Sequence, residues 1–168
     1  TALMLFEATD ELWGIASSQN NLGVESYYEG DWNEALRRYG LALDGFVRIG
    51  DETSHATMLN NIAEIHSDQG HWDLAQQGFE GARRMWRASG FALGVALAAS
   101  NLGRLATRTG DLVSAKQHFD DARDGFTQIK AKGFLLELDA RLAAWRLRRG
   151  DVDAALELAQ QTLAEGGD

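Results

Sequence analysis

The sequence predicts an all-α fold of repeated antiparallel helical hairpins, and three observations support this prediction. Glycines recur at a period of 40 residues, at Gly30, Gly70, Gly110 and Gly150. The 168 residues include 18 glycines and no proline, which suits helices that end at glycine turns, because proline breaks a helix interior. Within each unit the apolar residues follow spacings of three and four, the period of a helix. Such a repeat is typical of a solenoid, in which each unit buries its apolar face against its neighbours.

Each unit is predicted to contain two helices. In the first unit one helix covers residues 11–29, and the second ends near Ile49. Gly30 ends the first helix as its C-cap glycine. Asp31 or Asn33 can then cap the second helix by accepting a hydrogen bond from its first backbone N–H groups.

The same register divides the whole chain, residues 1–168, into a single array. We expect a tail of a preceding repeat at 1–9, full repeats at 11–50, 51–90 and 91–130, and a last repeat or cap at 133–165. Its second helix, residues 154–164, is rich in alanine, lacks the recurring aromatic residues and is followed by Gly166 and Gly167, which is why a cap is one interpretation of this segment.

The pattern of small and aromatic residues resembles a known repeat family. A Leu-Gly pair that begins at Leu22 is followed by the turn glycine Gly30 and then by Ala35, Tyr39 and Ala42. This pattern resembles the tetratricopeptide repeat (TPR) and implies a right-handed superhelix. The period of 40 residues departs from the usual period of about 34, and the proline that often ends the second helix is missing. The longer unit is similar to that of Leu-Gly-Asn repeat adaptors and of TPR arrays in bacterial ATPase-type and cyclase-type regulators.

Charge and composition argue against several classes of partner. The chain has 25 acidic and 16 basic residues, for a net charge of −9, which disfavours nucleic acid and anionic membrane surfaces. The longest uncharged run, residues 88–103, is too short and too polar to span a membrane. There is no cysteine, which is compatible with a reducing compartment, so we expect a cytoplasmic protein. From the charge and the short uncharged run we expect no membrane or nucleic-acid partner.

Neither a catalytic nor a metal-binding constellation is evident. The four histidines, His55, His66, His71 and His118, lack the spacing of three or four that places two ligands on one helix face. Glycine-rich phosphate-binding motifs and the Gly-x-Ser-x-Gly elbow are absent. We therefore expect no enzymatic activity, no cofactor and no metal.

The TPR resemblance implies a concave groove lined by the first helix of each unit. The candidate peptide-binding residues carried over to this sequence are Asn20, Val24, Tyr27, Tyr28, Asn60, Glu64, Asp68, Arg104, Arg108 and Arg148. They change from aromatic and neutral to acidic and then to basic along the chain. Arg104 and Arg108 are four residues apart and share a helix face, so with Arg148 they can hold a peptide carboxylate by forked hydrogen bonds.

Alternatives remain open at several of these positions. The charged residues can be ordinary solvated charges, with Arg104 and Arg108 paired to acidic residues of the second repeat such as Glu64 and Asp68. The asparagines that precede the Leu-Gly position can tie helices together instead of contacting a ligand. Trp32, Trp72 and Trp86 occupy recurring positions and are expected to pack, whereas Trp13 and Trp145 are either exposed anchors or core residues.

These observations predict a non-catalytic scaffold for protein–protein interaction. Its groove is expected to bind a peptide segment of another protein or of another domain of the same parent chain. The alternative is a sensor or regulatory arm of a larger bacterial signalling protein (an ATPase, a nucleotide cyclase or a transcriptional regulator), acting intramolecularly or by self-association. Exposed ends of the array can also mediate homodimerisation.

Overall fold

The computed structural model describes residues 2–166, with side chains from residue 9 onward. Within this range the chain forms eight α-helices and no strand. Their bounds are α1 Ala2–Tyr28, α2 Trp32–Ile49, α3 Glu52–Asp68, α4 Trp72–Ala88, α5 Ala92–Thr109, α6 Leu112–Gln128, α7 Lys132–Arg148 and α8 Val152–Glu165. Short turns join successive helices, so the predicted all-α fold of helical hairpins is confirmed.

The helices form two compact units, residues 1–90 and residues 91–168. The first unit holds the hairpins α1–α2 and α3–α4, and the second holds α5–α6 and α7–α8. The boundary between the units coincides with a repeat boundary predicted from the glycine register. The division of the chain into a single array of repeats stays a prediction.

Helix α1 begins earlier than the sequence analysis predicted. It runs without interruption from Ala2 to Tyr28, whereas the first helix was expected to start near Glu11. The physical reason is that neither glycine nor proline occurs between residues 2 and 13, so nothing interrupts the backbone hydrogen-bond ladder. The assignment of residues 1–9 to a preceding repeat stays a prediction, and Thr1 lies outside the described residues.

Small residues set the distance between the two helices of a hairpin. A Cβ added at Gly103 of α5 would lie 2.5 Å from Cδ1 of Phe119 in α6, and one added at Gly23 of α1 would lie 2.6 Å from Cε1 of Tyr39 in α2. Both distances are shorter than any real Cβ contact, so only glycine allows these aromatic rings to pack against the neighbouring backbone.

Each unit has its own apolar core around its second helix. In the first unit the α2 residues pack with residues of α1 and α3, namely Ala35, Tyr39, Ala42, Phe46, Ala16, Met58 and Ile65. In the second unit the equivalent α6 residues pack with α5 and α7, and the cluster comprises Ala115, Phe119, Ala122, Phe126, Ala96, Ala99, Leu138, Leu142 and Trp145.

The tryptophans divide between core and surface. Trp86 is buried, and its Nε1 donates to the Thr53 carbonyl oxygen at 3.2 Å. Trp145 is also buried and is a core residue. Trp72 was expected to pack but is 40% exposed, and its ring lies beside the Gly70 turn. Trp13 is half exposed, and its Nε1 donates to Oδ2 of Asp51 at 3.3 Å.

Aspartates cap several helices. Asp31, Asp51 and Asp111 each accept a hydrogen bond from the backbone N–H three residues later, at 3.0, 3.0 and 3.1 Å, so Asp31 and not Asn33 caps α2. Asp51 also accepts from the Ser54 hydroxyl at 2.7 Å. Asp151 precedes α8 in the same register but makes no capping hydrogen bond.

Replacing the Asp51 cap is expected to destabilise the protein. Asp51→Ala removes the acceptor for the first turn of α3 and for Trp13, which we expect to lower the free energy of unfolding by about 1 kcal/mol. Asp151→Ala is the matched control, since Asp151 caps nothing, and urea unfolding of both variants measures the difference. Equal losses in the two variants would contradict the capping role.

The effect of this substitution should depend on pH. Burial acts to raise the pKa of Asp51, but hydrogen bonds from Ser54 and Trp13 outweigh it and hold the pKa below 3.8. A lowered carboxyl pKa stabilises the folded state above the unfolded-state pKa, and this contribution disappears as the pH falls through the folded-state pKa. The stability gap between wild type and Asp51→Ala should therefore be full at neutral pH and narrow below about pH 4.

A methyl group at Gly103 should disturb the helix contact in the second unit. Gly103→Ala forces the Phe119 ring to move, and we expect a loss of about 1–3 kcal/mol in the free energy of unfolding. The control is Gly40→Ala in α2, where an added Cβ meets nothing within 4 Å and alanine should be neutral or stabilising. Thermal unfolding followed by circular dichroism distinguishes the two, and a neutral Gly103→Ala would show that the contact is not tight.

Candidate peptide-binding site

In the first unit, hydrogen bonds join the candidate faces of α1 and α3. The Tyr27 hydroxyl donates to Oδ2 of Asp68 at 2.6 Å. About two turns earlier along each helix, Nδ2 of Asn61 donates to Oδ1 of Asn20 at 3.3 Å. The sequence analysis selected Tyr27, Asp68 and Asn20, and these three residues therefore lie along one seam between the helices.

The remaining candidates of the first unit differ in exposure. Tyr28 is 82% exposed and makes an edge contact with the Tyr27 ring, at a centroid distance of 5.5 Å. Asn60 is buried, and Val24 packs against the core cluster of the unit. Of these three, Tyr28 presents the largest surface to a ligand.

Glu64 lies close enough to the buried Tyr39 to affect its ionisation. Burial, followed by the Glu64 carboxylate and by Tyr28, raises the pKa of Tyr39 from 10.0 to about 12. The phenol therefore stays neutral across the physiological range. Glu64 and Asp68 give this part of α3 its acidic character.

In the second unit, α5 and α7 line an open, solvent-accessible cavity of about 470 Å³. Its lining contains all three candidate arginines together with a further arginine, one glutamate and several apolar residues. They are Arg104, Thr107, Arg108, Phe119, Glu137, Ala140, Arg141, Ala144, Leu147 and Arg148. We call this space the α5–α7 cavity.

The chemistry of the α5–α7 cavity is both apolar and basic. Phe119, Ala140, Ala144 and Leu147 give it apolar surface, and Leu147 is 58% exposed although it is a large hydrophobic residue. Four arginines and one glutamate make the lining positive, in a chain whose net charge is −9. An apolar surface beside several guanidinium groups can accommodate an apolar side chain that carries or adjoins a carboxylate.

Arg141 holds the two walls of the cavity together, and the sequence analysis did not select it. Its NH1 donates to Oδ1 of Asn101 at 2.7 Å and to the Ser100 hydroxyl oxygen at 3.0 Å, and its NH2 donates to Oε1 of Glu137 at 2.5 Å. Ser100 and Asn101 lie in α5, so this guanidinium links α5 to α7. The sequence did contain one sign of this role. In the 40-residue register, Arg141 occupies the position that is asparagine in the other three repeats, at Asn21, Asn61 and Asn101.

The asparagines before the Leu-Gly position link helices. Asn61 bonds to Asn20 of α1, and the buried Asn101 accepts from Arg141 of α7. These contacts agree with the structural alternative for Asn61 and Asn101. Asn21 is exposed and is joined to Asn20 by a hydrogen bond of 3.4 Å within α1.

The described residues contain neither a cluster suited to a metal ion nor a helix that could span a membrane. No three His, Asp or Glu side chains among these residues come together in a way that could hold a metal ion. Across the same part of the chain, no helix combines the length and apolar character needed to cross a membrane.

Comparison with known proteins relates this fold to a repeat family. Residues 54–128 match the family model of the tetratricopeptide repeat, which confirms the resemblance seen in the sequence. Among solved structures the chain is similar to BtubC (BKLC) from P. vanneervenii, with a TM-score of 0.72 and 20% identity over 89% of this chain. The chain spans 62% of that protein, and at this identity the likeness shows the fold alone. No curated protein matches the chain.

Removing Arg141 is expected to destabilise the second unit. Arg141→Ala leaves the buried Asn101 side chain without this donor, and we expect a loss of about 1–3 kcal/mol in the free energy of unfolding. Arg148→Ala serves as the control, since Arg148 is an exposed arginine of the same helix and its loss should cost less than about 0.5 kcal/mol. The measurement is urea unfolding, and equal stability of the two variants would show that the α5–α7 link is dispensable.

Proposed function

We propose that the chain, whose residues 54–128 match the tetratricopeptide repeat model, is a non-catalytic scaffold that binds a peptide segment in the α5–α7 cavity. Tetratricopeptide repeats generally mediate protein–protein interaction, and the family is typically non-catalytic. The observation that supports a peptide site in this chain is the convergence of Arg104, Arg108 and Arg148 on one apolar cavity.

The cavity suits part of a peptide better than a free inorganic anion. Its volume of about 470 Å³ lies in the usual range of ligand sites, about 300–1,000 Å³. An inorganic anion would leave the exposed Leu147 and the alanines of α7 in water. A large apolar side chain would cover them and bring neighbouring carboxylates to the arginines.

The proposed ligand is therefore an acidic segment with an apolar anchor residue. Guanidinium groups bind carboxylates in a bidentate, forked geometry, so Asp, Glu or a chain terminus would be favoured over neutral groups. The segment can belong to another protein or to another part of the parent chain, since both would present the same chemistry.

Reversing the charge of α5 should abolish this binding. A phage-displayed peptide library is selected on the wild type and on Arg104→Glu with Arg108→Glu. We expect the wild type to enrich sequences in which Asp or Glu adjoins a large apolar residue, and the double variant to lose this enrichment. Arg84→Glu with Arg87→Glu in α4 makes the same change of charge at residues that do not line the cavity and should select the wild-type sequences.

Two controls separate binding from folding. The helical circular dichroism of the double variant should equal that of the wild type, and Leu147→Glu provides a second test because this side chain is exposed. If Leu147→Glu and the α5 double variant both fold and still select the wild-type sequences, the α5–α7 cavity is not the peptide site.

A further inference from the structure

Among the described residues that line the α5–α7 cavity, Glu137 supplies the one carboxylate. Its Oε1 accepts a hydrogen bond of 2.5 Å from NH2 of Arg141, one turn later on the same helix. The side chain of Glu137 is 53% exposed, whereas that of Arg141 is 17% exposed. A ligand that reaches this part of the cavity therefore meets the carboxylate more readily than the guanidinium that neutralises it.

Acidic and basic groups lie at different levels along α7. Glu137 and Arg148 are 11 residues apart, which corresponds to about 16 Å at a rise of about 1.5 Å per residue. Ala140 and Ala144 lie between them and also line the cavity. Helix α7 thus presents a carboxylate near its beginning, an apolar stretch in the middle and a cation at its end.

The arginines of α5 lie toward the Arg148 end of this surface. The hydrogen bond from Arg141 to Asn101 sets the register between the two helices. Both are the first helix of their hairpin, and they run in the same direction. Arg104 and Arg108 follow Asn101 by three and seven residues toward the C-terminal end of α5. We call the region of Arg104, Arg108 and Arg148 the basic end of the cavity, and the opposite region the Glu137 end.

The two ends act differently on a carboxylate of a ligand. At the basic end, three guanidinium groups can donate hydrogen bonds to it. At the Glu137 end, the charge of Arg141 is already matched by Glu137, so a further carboxylate gains no net attraction and lies near an exposed charge of the same sign. Such a carboxylate would also lose hydration without gaining a partner. A ligand is therefore favoured when its acidic groups lie on one side of its apolar anchor.

The repeated fold itself does not require a carboxylate at this position. In the 40-residue register, the equivalents of Glu137 are Ser17, Thr57 and Leu97. The other three repeats therefore form their first helices without an acidic residue here. The Glu137–Arg141 pair is particular to the repeat that forms one wall of the cavity, which points to a role in the cavity.

We propose that Glu137 is a specificity residue that excludes ligand carboxylates from one end of the α5–α7 cavity, so that the site takes a segment acidic on only one side of its apolar anchor. This inference rests on the proposed function, because it assumes that the cavity binds an acidic segment. The carboxylates of that segment lie at the basic end. The Glu137 end takes a neutral side chain, and a hydroxyl or amide there can donate a hydrogen bond to the Glu137 carboxylate.

Three fluorescein-labelled peptides of nine residues with a central leucine test the proposal. One carries two glutamates before the leucine, the second carries two glutamates after it, and the third carries both pairs. Serine fills the other positions, and blocked termini remove the terminal charges. By fluorescence anisotropy, we expect the wild type to bind the better one-sided peptide about threefold more tightly than the two-sided peptide. Without exclusion at the Glu137 end, the two-sided peptide would bind at least as tightly.

Glu137→Gln should remove this preference. The amide oxygen can still accept the hydrogen bond from Arg141, so the link between the two helices is kept while the negative charge is lost. We expect the two-sided peptide to bind this variant about threefold more tightly than it binds the wild type. The matched control is Glu157→Gln, which makes the same change at an exposed residue of α8 outside the cavity lining and should keep the wild-type preference.

The preference between peptides distinguishes specificity from a structural role. If Glu137 only held Arg141 in place, its replacement would change the affinity for all three peptides alike. Circular dichroism and urea unfolding verify that both variants remain folded. The wild-type preference is a separate measurement that does not depend on the folding of any variant.

The outcomes separate this proposal from the function on which it rests. If no peptide binds the wild type or Glu137→Gln, the cavity is not a site for acidic segments, and both proposals fail. If the one-sided peptides bind but the wild type binds the two-sided peptide equally well, the role of Glu137 is wrong and the peptide site stands. A folded Glu137→Gln that keeps the wild-type preference would lead to the same conclusion.

Discussion

The contact on which the hairpins α1–α2 and α5–α6 depend is the close approach of their two helices at a glycine. An aromatic ring of the second helix lies where a side chain of the first would otherwise stand, as Phe119 does at Gly103. This contact fixes the rotation of both helices about their axes, since the ring must meet the glycine. Once the rotation is fixed, the remaining positions of each helix are assigned to the core or to solvent. Because the sequence repeats every 40 residues, equivalent positions recur along the chain.

The location of the candidate site follows from the same constraint. With one side of α5 turned toward α6, Arg104 and Arg108 lie on a different side and face the space shared with α7. Arg141 then sets the distance between the walls, because its guanidinium bonds to residues of both helices. The Arg141 guanidinium is mostly shielded from solvent and donates hydrogen bonds to three side chains, so it restrains the two helices that carry Arg108 and Arg148. Pre-positioned charges lose little entropy on binding, which favours recognition by few contacts.

The periodic features of this molecule could be predicted from the sequence, and the exceptions to the period could not. The register predicted the hairpins and offered Asp31 as one of two caps for α2, because both depend on spacing along the chain, whereas the grouping of Arg104, Arg108 and Arg148 came from the resemblance to tetratricopeptide repeats. Arg141 was missed because its role depends on the facing residues of another helix, which spacing does not reveal. The extension of α1 to Ala2 was missed because the register marks where repeats correspond, whereas a helix ends only where a residue interrupts it.

Charge is distributed unevenly in the second unit, and this bears on how its surfaces can act together. The α5–α7 cavity is lined by four arginines and one glutamate, whereas α8 carries acidic residues and no basic ones. An acidic segment would therefore be attracted by the lining of the cavity and repelled by α8. Each surface also combines its charge with exposed leucine, at Leu147 and at Leu156. Burial of leucine can supply affinity while charge selects the partner.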